Sequence, residues 1–420
     1  MHVLRVCLPS RVAASIATLV TLVAVPGILS GCGGVAVSGA ASAIGNQLTI
    51  YSSLPLQGAS GTASAQIVNG EKLALAQAGG HVGPFTVSYV SEDDSSPTSG
   101  QWEPGVTATN AKAAAQDTST IAYLGDYNSA ATAVSLPLIN AAGMLQVSPS
   151  SPYVGLTSSL DAGQDEPERF YPSGVRTFGR IEPGDPAQAV AQVRLMGEMG
   201  VHSVYVLSDQ DPFEIPLAQI VAGDAKRASI AVAGNDALAV TASSVFTGEV
   251  EKVSKSGAQA VFLAGGPGVG TVALWSQLHA ADPHLLLLGS STMAGESFTS
   301  RIGAAAANTY VTTPILPTSL YPPSAQRVLH DYRDEFGVAA ESYALYGYEA
   351  MSVVLDSIRR AGAKGNDRQA VIDQFFAIRN RDSVLGRYSI EADGETTLSP
   401  YGVDRVVNGR TVFYRAIPVP

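Results

Sequence analysis

From Gln47 onward, short runs of β-branched and aromatic residues alternate with longer Ala-rich stretches of helical period. That alternation predicts an α/β protein with parallel sheets. Runs of strand length fall at 48–52, 85–90, 121–124, 144–147, 204–207, 261–264 and 285–288. Most lead through Gly, Ser, Asp or Asn into a helix. At one helix start Asp185 is placed to cap, Pro186 suits the first turn and Gln188 completes a capping box, with Gly200 closing the far end. A second helix, over 341–362, puts Leu345, Tyr348, Met351, Leu355 and Ile358 on one face. Helical period fades after Gly386. Two β-rich runs, 403–407 and 411–414, flank Asn408-Gly409, a dipeptide specific for a tight hairpin.

So many strand and helix units exceed one doubly wound sheet and predict two. The break between them is placed near 175–180, after a Pro/Gly/Asp-rich loop, and a Pro-rich passage at 313–323 suggests that the chain crosses back.

The first residues form a different pattern. Arg5 and Arg11, without acids, precede an apolar run that Pro26 and Gly27 interrupt before Leu29-Ser30-Gly31-Cys32. This is the layout of a signal peptide, and the last four residues resemble the lipobox of bacterial lipoproteins, which makes Cys32 the expected lipid-bearing residue. The other reading, one transmembrane helix, sits poorly with a short run carrying Ser15, Thr18 and Thr21. Residues 33–46, rich in Gly, Ala, Ser and Val and free of charge, are expected to be a flexible tether.

Composition narrows the picture further. Cys7 and Cys32 are the only cysteines, and neither would leave a free thiol after processing, so no disulfide is expected. The formal charge of -11 becomes more negative if Arg5 and Arg11 are removed. An acidic chain with scattered Lys and Arg argues against nucleic acid as a partner, and against attachment to a membrane by basic residues.

Several loops together carry a resemblance. They are Pro55-Leu56-Gln57-Gly58, Asn69-Gly70-Glu71-Lys72, Glu92-Asp93-Asp94, Gly125-Asp126-Tyr127-Asn128-Ser129, Val147-Ser148-Pro149-Ser150-Ser151 and Tyr343-Ala344-Leu345-Tyr346-Gly347-Tyr348. In this order and spacing the chain resembles the leucine/isoleucine/valine-binding class of type I periplasmic binding proteins. The resemblance implies two doubly wound parallel-sheet lobes joined by three crossings. It assigns 1–31 to the signal, 32–46 to the tether, 47–175 and 311–385 to lobe 1, and 176–310 and 386–420 to lobe 2. It also implies a small-molecule solute, the permease and ATPase subunits of an ABC importer as partners, a lipid anchor on Cys32 outside the cytoplasm, and no cofactor. The solute class it suggests is a branched-chain amino acid or a related amide or organic acid.

Ligands of open α/β sheets bind beyond the carboxyl ends of the strands. The loops there supply the expected site. Ser129, opening a helix over 129–142, matches the serine that holds a ligand carboxylate in the family; a simple helix cap is the plainer role. Tyr127 and Asn128 precede it, Tyr127 as wall or hydrogen-bonding group. Ser150 matches a position of backbone contact, while Pro152 stands where the family has a hydroxyl, with Ser151 as the substitute. Phe213 is expected as an aromatic wall. Gly266 allows close approach of backbone to a solute. The family's acid for a ligand ammonium aligns with Ser243, and Asp126, Asp209, Asp211 and Glu296 are the candidate replacements.

Other chemistries fit less well. The glycines at 265–270 do not space as a dinucleotide fingerprint, and no Lys-Ser/Thr follows. No G-x-S-x-G elbow is present, and the histidines after the signal lack metal-site spacing, so the chain is not read as an enzyme. A sensor using the same fold is the alternative to a carrier. The lipid anchor is open to a direct test: Cys32→Ser is expected to release the protein to the medium with its affinity unchanged, whereas retention at the membrane would favour the uncleaved helix.

Overall fold

The computed structural model describes residues 42–98 and 100–419. The expected signal and Cys32 lie outside the described residues. None of the described helices is long and apolar enough to cross a membrane.

The first sheet holds β1 (Gln47–Leu54), β2 (His81–Val82), β3 (Phe85–Asp93), β4 (Thr120–Gly125), β5 (Leu145–Ser148) and β6 (Phe178–Arg180), in the order β2-β3-β1-β4-β5-β6. All neighbours are parallel except the β2-β3 hairpin. The helices α1 (Gly61–Gln77), α2 (Pro104–Gln116) and α3 (Ser129–Ala141) cover it, joined later in the chain by α9 (Pro323–Phe336), α10 (Ser342–Ala361) and α11 (Arg368–Phe376). Between these two groups come α4 (Asp185–Glu198), β7 (Ser203–Asp209), α5 (Ile215–Arg227), β8 (Ala231–Leu238), α6 (Thr247–Ser256), β9 (Ala260–Ala264), α7 (Val269–Ala281), β10 (Leu286–Gly289), α8 (Glu296–Thr299) and β11 (Thr309–Thr313). Their strands build the second sheet, β15-β14-β11-β10-β9-β7-β8, with β14 (Tyr401–Val407) and β15 (Arg410–Ile417) antiparallel at its edge. A small ladder of β12 (Arg381–Asp382) and β13 (Arg387–Tyr388) precedes the last crossing.

Strand periodicity explains the layering. Along β7, Val204 and Val206 enter the core beneath α4 and α5, while Tyr205 and Leu207 join the opposite core with Trp275 and Leu278 of α7. In the first lobe α1 and α10 lie close together because glycines face each other's backbone: a Cβ on Gly70 would meet the Ala344 carbonyl at 2.1 Å, and one on Gly347 would meet that of Ile67 at 2.1 Å. The Asn408-Gly409 turn forms as expected, with φ of 51° and 78° that suit these two residues.

Five expectations need correction. The strand β6 pairs with β5, so the first crossing begins after Arg180 and not at 175; β11 belongs to the second sheet, so the return begins after Thr313 and not at 310. Asp185 does not cap its helix, because Gly184 occupies that position and the Asp185 carboxylate instead accepts the Val154 N–H at 3.0 Å. Gln188 closes no capping box and reaches Thr312 Oγ1 at 2.9 Å. The end of the expected tether is docked: Ala43 is buried and donates to the Asn366 carbonyl at 2.7 Å, while Asn366 Nδ2 donates back to Ala43 and Gly45, each at 3.3 Å.

Two of the crossings meet at one guanidinium. Arg180, fully buried, donates to the Ser151 carbonyl, to the Tyr153 carbonyl at 3.0 Å, to Thr157 Oγ1 at 2.6 Å and to Glu395 Oε1 at 2.6 Å. Its own N–H donates to the Gly394 carbonyl at 3.1 Å. The first crossing, the loop after β5 and the third crossing are therefore tied through one side chain. Arg180→Met leaves a carboxylate and two carbonyls without their donor and is expected to cost about 3–5 kcal/mol; the check is the midpoint of chemical denaturation, which should fall clearly further than in Glu395→Gln.

Candidate functional site

The carboxyl ends of both sheets meet the three crossings in one region. From the first lobe, Tyr127, Asn128 and Ser129 arrive on the turn from β4 into α3 and are half-buried. The Ser129 hydroxyl accepts the Tyr153 N–H at 3.2 Å, leaving its own proton free to be donated. Ser150 is buried, with its hydroxyl in hydrogen-bonding reach of Glu182 and of the Tyr343 phenol, which in turn reaches Tyr127. From the second lobe, Phe213 packs edge-on against Tyr153 with ring centroids 4.9 Å apart. The contact joins the loop after β5 to the loop after β7.

Some expected residues serve the scaffold instead. The Ser151 hydroxyl lies 2.8 Å from Thr132 Oγ1 and 3.0 Å from the Asp126 carbonyl, fully buried, so it does not stand in for the hydroxyl that Pro152 lacks. Gly266 donates its N–H to Asp209 Oδ2 at 2.8 Å and is turned to that loop. Ser243 is exposed, and its hydroxyl lies 3.3 Å from Thr241 Oγ1 within its own loop. It does not join the cleft groups. The reason is that β8 is the edge strand, and the loop after it packs along the start of α7.

Nor do the four replacement acids serve. Asp126 is buried under bonds from Ser135 and Tyr123, Asp209 caps two N–H groups, Asp211 is exposed and accepts the Phe213 N–H at 2.9 Å, and Glu296 pairs on the surface with Arg410 at 3.2 Å. A depression lined by Met199, Val253, Leu278 and His284 lies at the opposite, amino-terminal ends of the second sheet and touches none of these groups.

Two acids with unpartnered buried oxygens were not expected. Glu182, on the first crossing, is 3 % exposed, and its Oε2 has no hydrogen-bond partner. Glu214, at the foot of α5, has a partnerless Oε2 as well, and the charges that act on it are those of Asp185, Asp209 and Asp211. Tyr401, fully buried at the end of the third crossing, makes no hydrogen bond of ordinary length and has Ser291 in longer reach. Burial first, and then the charges of Glu182, Asp185 and Glu214, hold the Tyr401 phenol well above its ordinary range. The phenols of Tyr343 and Tyr346, at the start of α10, are likewise raised by burial and then in part by Glu182. The signal for Glu182 in the sequence is an acid two residues past a strand-ending Arg180 and just before a helix; nothing local separates it from a solvated loop acid.

The family model described as periplasmic binding protein matches residues 48–410. No curated protein matches the chain. Among solved structures, the leucine binding protein LivK from Thermotoga maritima superposes with a TM-score of 0.70 at 20% identity, covering 88% of this chain and 99% of the other. The branched-chain amino acid binding protein LivJ from Streptococcus pneumoniae, in complex with isoleucine, gives 0.67 at 17% identity over 89% and 99%. A solute binding protein from R. palustris in complex with benzoate gives 0.67 at 14% identity over 89% and 97%.

Burial sets the titration of this molecule. It pushes Glu71 and Asp94 of the first lobe up to about 7, Asp185 to about 7 and Glu182 to about 8. Each is protonated in the fold to that pH, whereas in the unfolded chain it ionises near 4. Between those limits the folded state binds more protons, so stability is full below about pH 4 for these groups and is lost as pH rises through about 7 to 8. Melting temperature is expected to fall from pH 5 to pH 8.5; Glu182→Gln, which removes one such group, should flatten that fall. A profile rising toward pH 8.5 would contradict the assignment.

Proposed function

The chain belongs to the periplasmic binding protein family, and from that premise we propose that it is an extracytoplasmic carrier of a small solute. The solute enters between the two lobes, the lobes close on it, and it passes to the permease and ATPase subunits of an ABC importer. One observation carries this reading: Glu182 Oε2 on the first crossing and Glu214 Oε2 in the second lobe are both buried without a donor, and both carboxyls act on the Tyr401 phenol. A buried carboxylate oxygen without a donor is costly, and a bound solute removes that cost only when both lobes are in place.

Around these groups, Tyr127, Tyr343 and Phe213 are half-buried rings that offer apolar faces, and the Ser129 hydroxyl offers a donor at the start of α3. A lipid on Cys32 would hold this carrier at the membrane beside its permease, and the docked residues after the tether fix where it leaves the first lobe.

The test is binding by the purified protein. At least one compound among amino acids, amides, small peptides, aromatic acids and organic amines is expected to raise its melting temperature; no shift with any of them would overturn the reading. Phe213→Ala and Ser129→Ala are each expected to weaken that binding by about 1–3 kcal/mol, measured by titration calorimetry. Affinities equal to wild type in both would move the solute away from this cleft.

A further inference from the structure

We infer that the solute is an organic cation whose ammonium or guanidinium group sits between Glu182 of the first crossing and Glu214 of the second lobe. This rests on the solute-binding reading above and specifies it.

Charge count is the first argument. Glu214 is acted on by Asp185, Asp209 and Asp211 and by no cation. Glu182 is acted on by Arg180 and Asp185, but Nη1 and Nη2 of Arg180 are already committed to Ser151, Tyr153, Thr157 and Glu395. Two acids with spare oxygens, Glu182 and Glu214, thus stand against one spare donor, Arg180 Nε. An ammonium or guanidinium presents several N–H donors and a full positive charge, which fits two such oxygens at once.

The second argument is independent of the acids. The ring pairs Tyr127 with Tyr343, 5.7 Å apart and tilted by 54°, and Tyr153 with Phe213, 4.9 Å apart, line the same region with half-exposed members. Electron-rich ring faces attract cations and repel carboxylates. The Tyr401 hydroxyl, buried without a normal partner, adds an acceptor.

The alternatives fit less well. Where Glu182, Asp185 and Glu214 are ionised, a bare aromatic acid would add a further negative charge to theirs. A neutral-chain amino acid brings one ammonium and one carboxylate, and so leaves part of that negative charge without compensation.

Calorimetry on the purified protein with putrescine, arginine, choline, leucine and benzoate tests this. At least one of the three cations is expected to bind, with leucine and benzoate weaker by roughly tenfold or more. Glu182→Gln and Glu214→Gln should each weaken that cation by roughly thirtyfold or more, with melting temperature as the control for folding. Affinity should also rise from about pH 6 to about pH 9, because the acids must lose their protons to meet a cation. The groups that set this are Glu182 with its neighbours Arg180, Asp185, Tyr127, Tyr321, Tyr343, Tyr346 and Tyr401, and Glu214 with Asp185, Asp209 and Asp211. Leucine or benzoate binding more tightly than every cation would overturn the inference while leaving solute binding intact. Cation binding unchanged in both Gln variants would overturn it too. Binding of none of the five nor of the wider set above would remove the carrier reading with it.

Discussion

A guanidinium removed from water must find acceptors inside the protein, and at Arg180 those acceptors come from two stretches of chain distant from its own. Ser151, Tyr153 and Thr157 belong to the loop after β5, Glu395 to the third crossing, and Arg180 itself ends β6 where the first crossing begins. The cleft lies directly beyond this point, and its distances follow from it. Glu182 is two residues downstream, so the rigidity of Arg180 is passed to that carboxylate. Tyr153, held by its carbonyl, gives its N–H to Ser129 and its ring to Phe213. Loss of this one side chain would loosen acid, hydroxyl and ring together.

The same constraint explains a property of the lobes. Only three short segments link the two sheets, and two of them run through the Arg180 cluster, while the other leaves β11 and is pinned by bonds from Tyr346 to the Pro314 carbonyl at 2.9 Å and from Ser342 to the Leu316 carbonyl at 2.6 Å. In the proposed closure, hinge motion would be absorbed in a few residues between these pins. Stiff anchors with short free segments are what lobe closure requires.

Most of the fold was legible because it rests on local and periodic signals. Strands such as β7 and β9 are continuous apolar runs buried on both faces, and the Asn408-Gly409 hairpin is specified by the two residues that tolerate its φ values. The misplacements share a physical cause. Whether residues 178–180 or 309–313 close one sheet or open another depends on pairing with β5 or β10, a long-range choice that periodicity cannot register. Asp185 carries the sequence of a cap, but a buried partner from another loop, Val154, outcompetes its own helix. Tyr127, Ser129, Ser150 and Phe213 could be proposed for the site because each lies just past a strand end in the chain itself. Ser243 could not be excluded that way, since the order of strands in the sheet, with β8 at the edge, decides that its loop lies apart. Glu182 and Glu214 were invisible for the converse reason: their character comes entirely from burial and from neighbours distant in sequence.

That character bears on how the two lobes can meet. Fully ionised carboxylates on facing lobes would repel one another across a poorly hydrated gap, and only three segments oppose their separation. Burial avoids this by raising the carboxyls: Glu182 to about 8, Asp185 to about 7, and Glu214 well above its ordinary range. Near neutral pH Glu182 and Asp185 thus keep much of their protons, which lessens repulsion between the lobes. A proton in this setting occupies the place of a positive charge. Any solute that replaces it must supply charge as well as shape, because expelling protons from groups raised this far costs free energy that a neutral molecule does not return. Selectivity in such a cleft arises from desolvation acting on acids of both lobes, with the aromatic walls setting the size of what can stand between them.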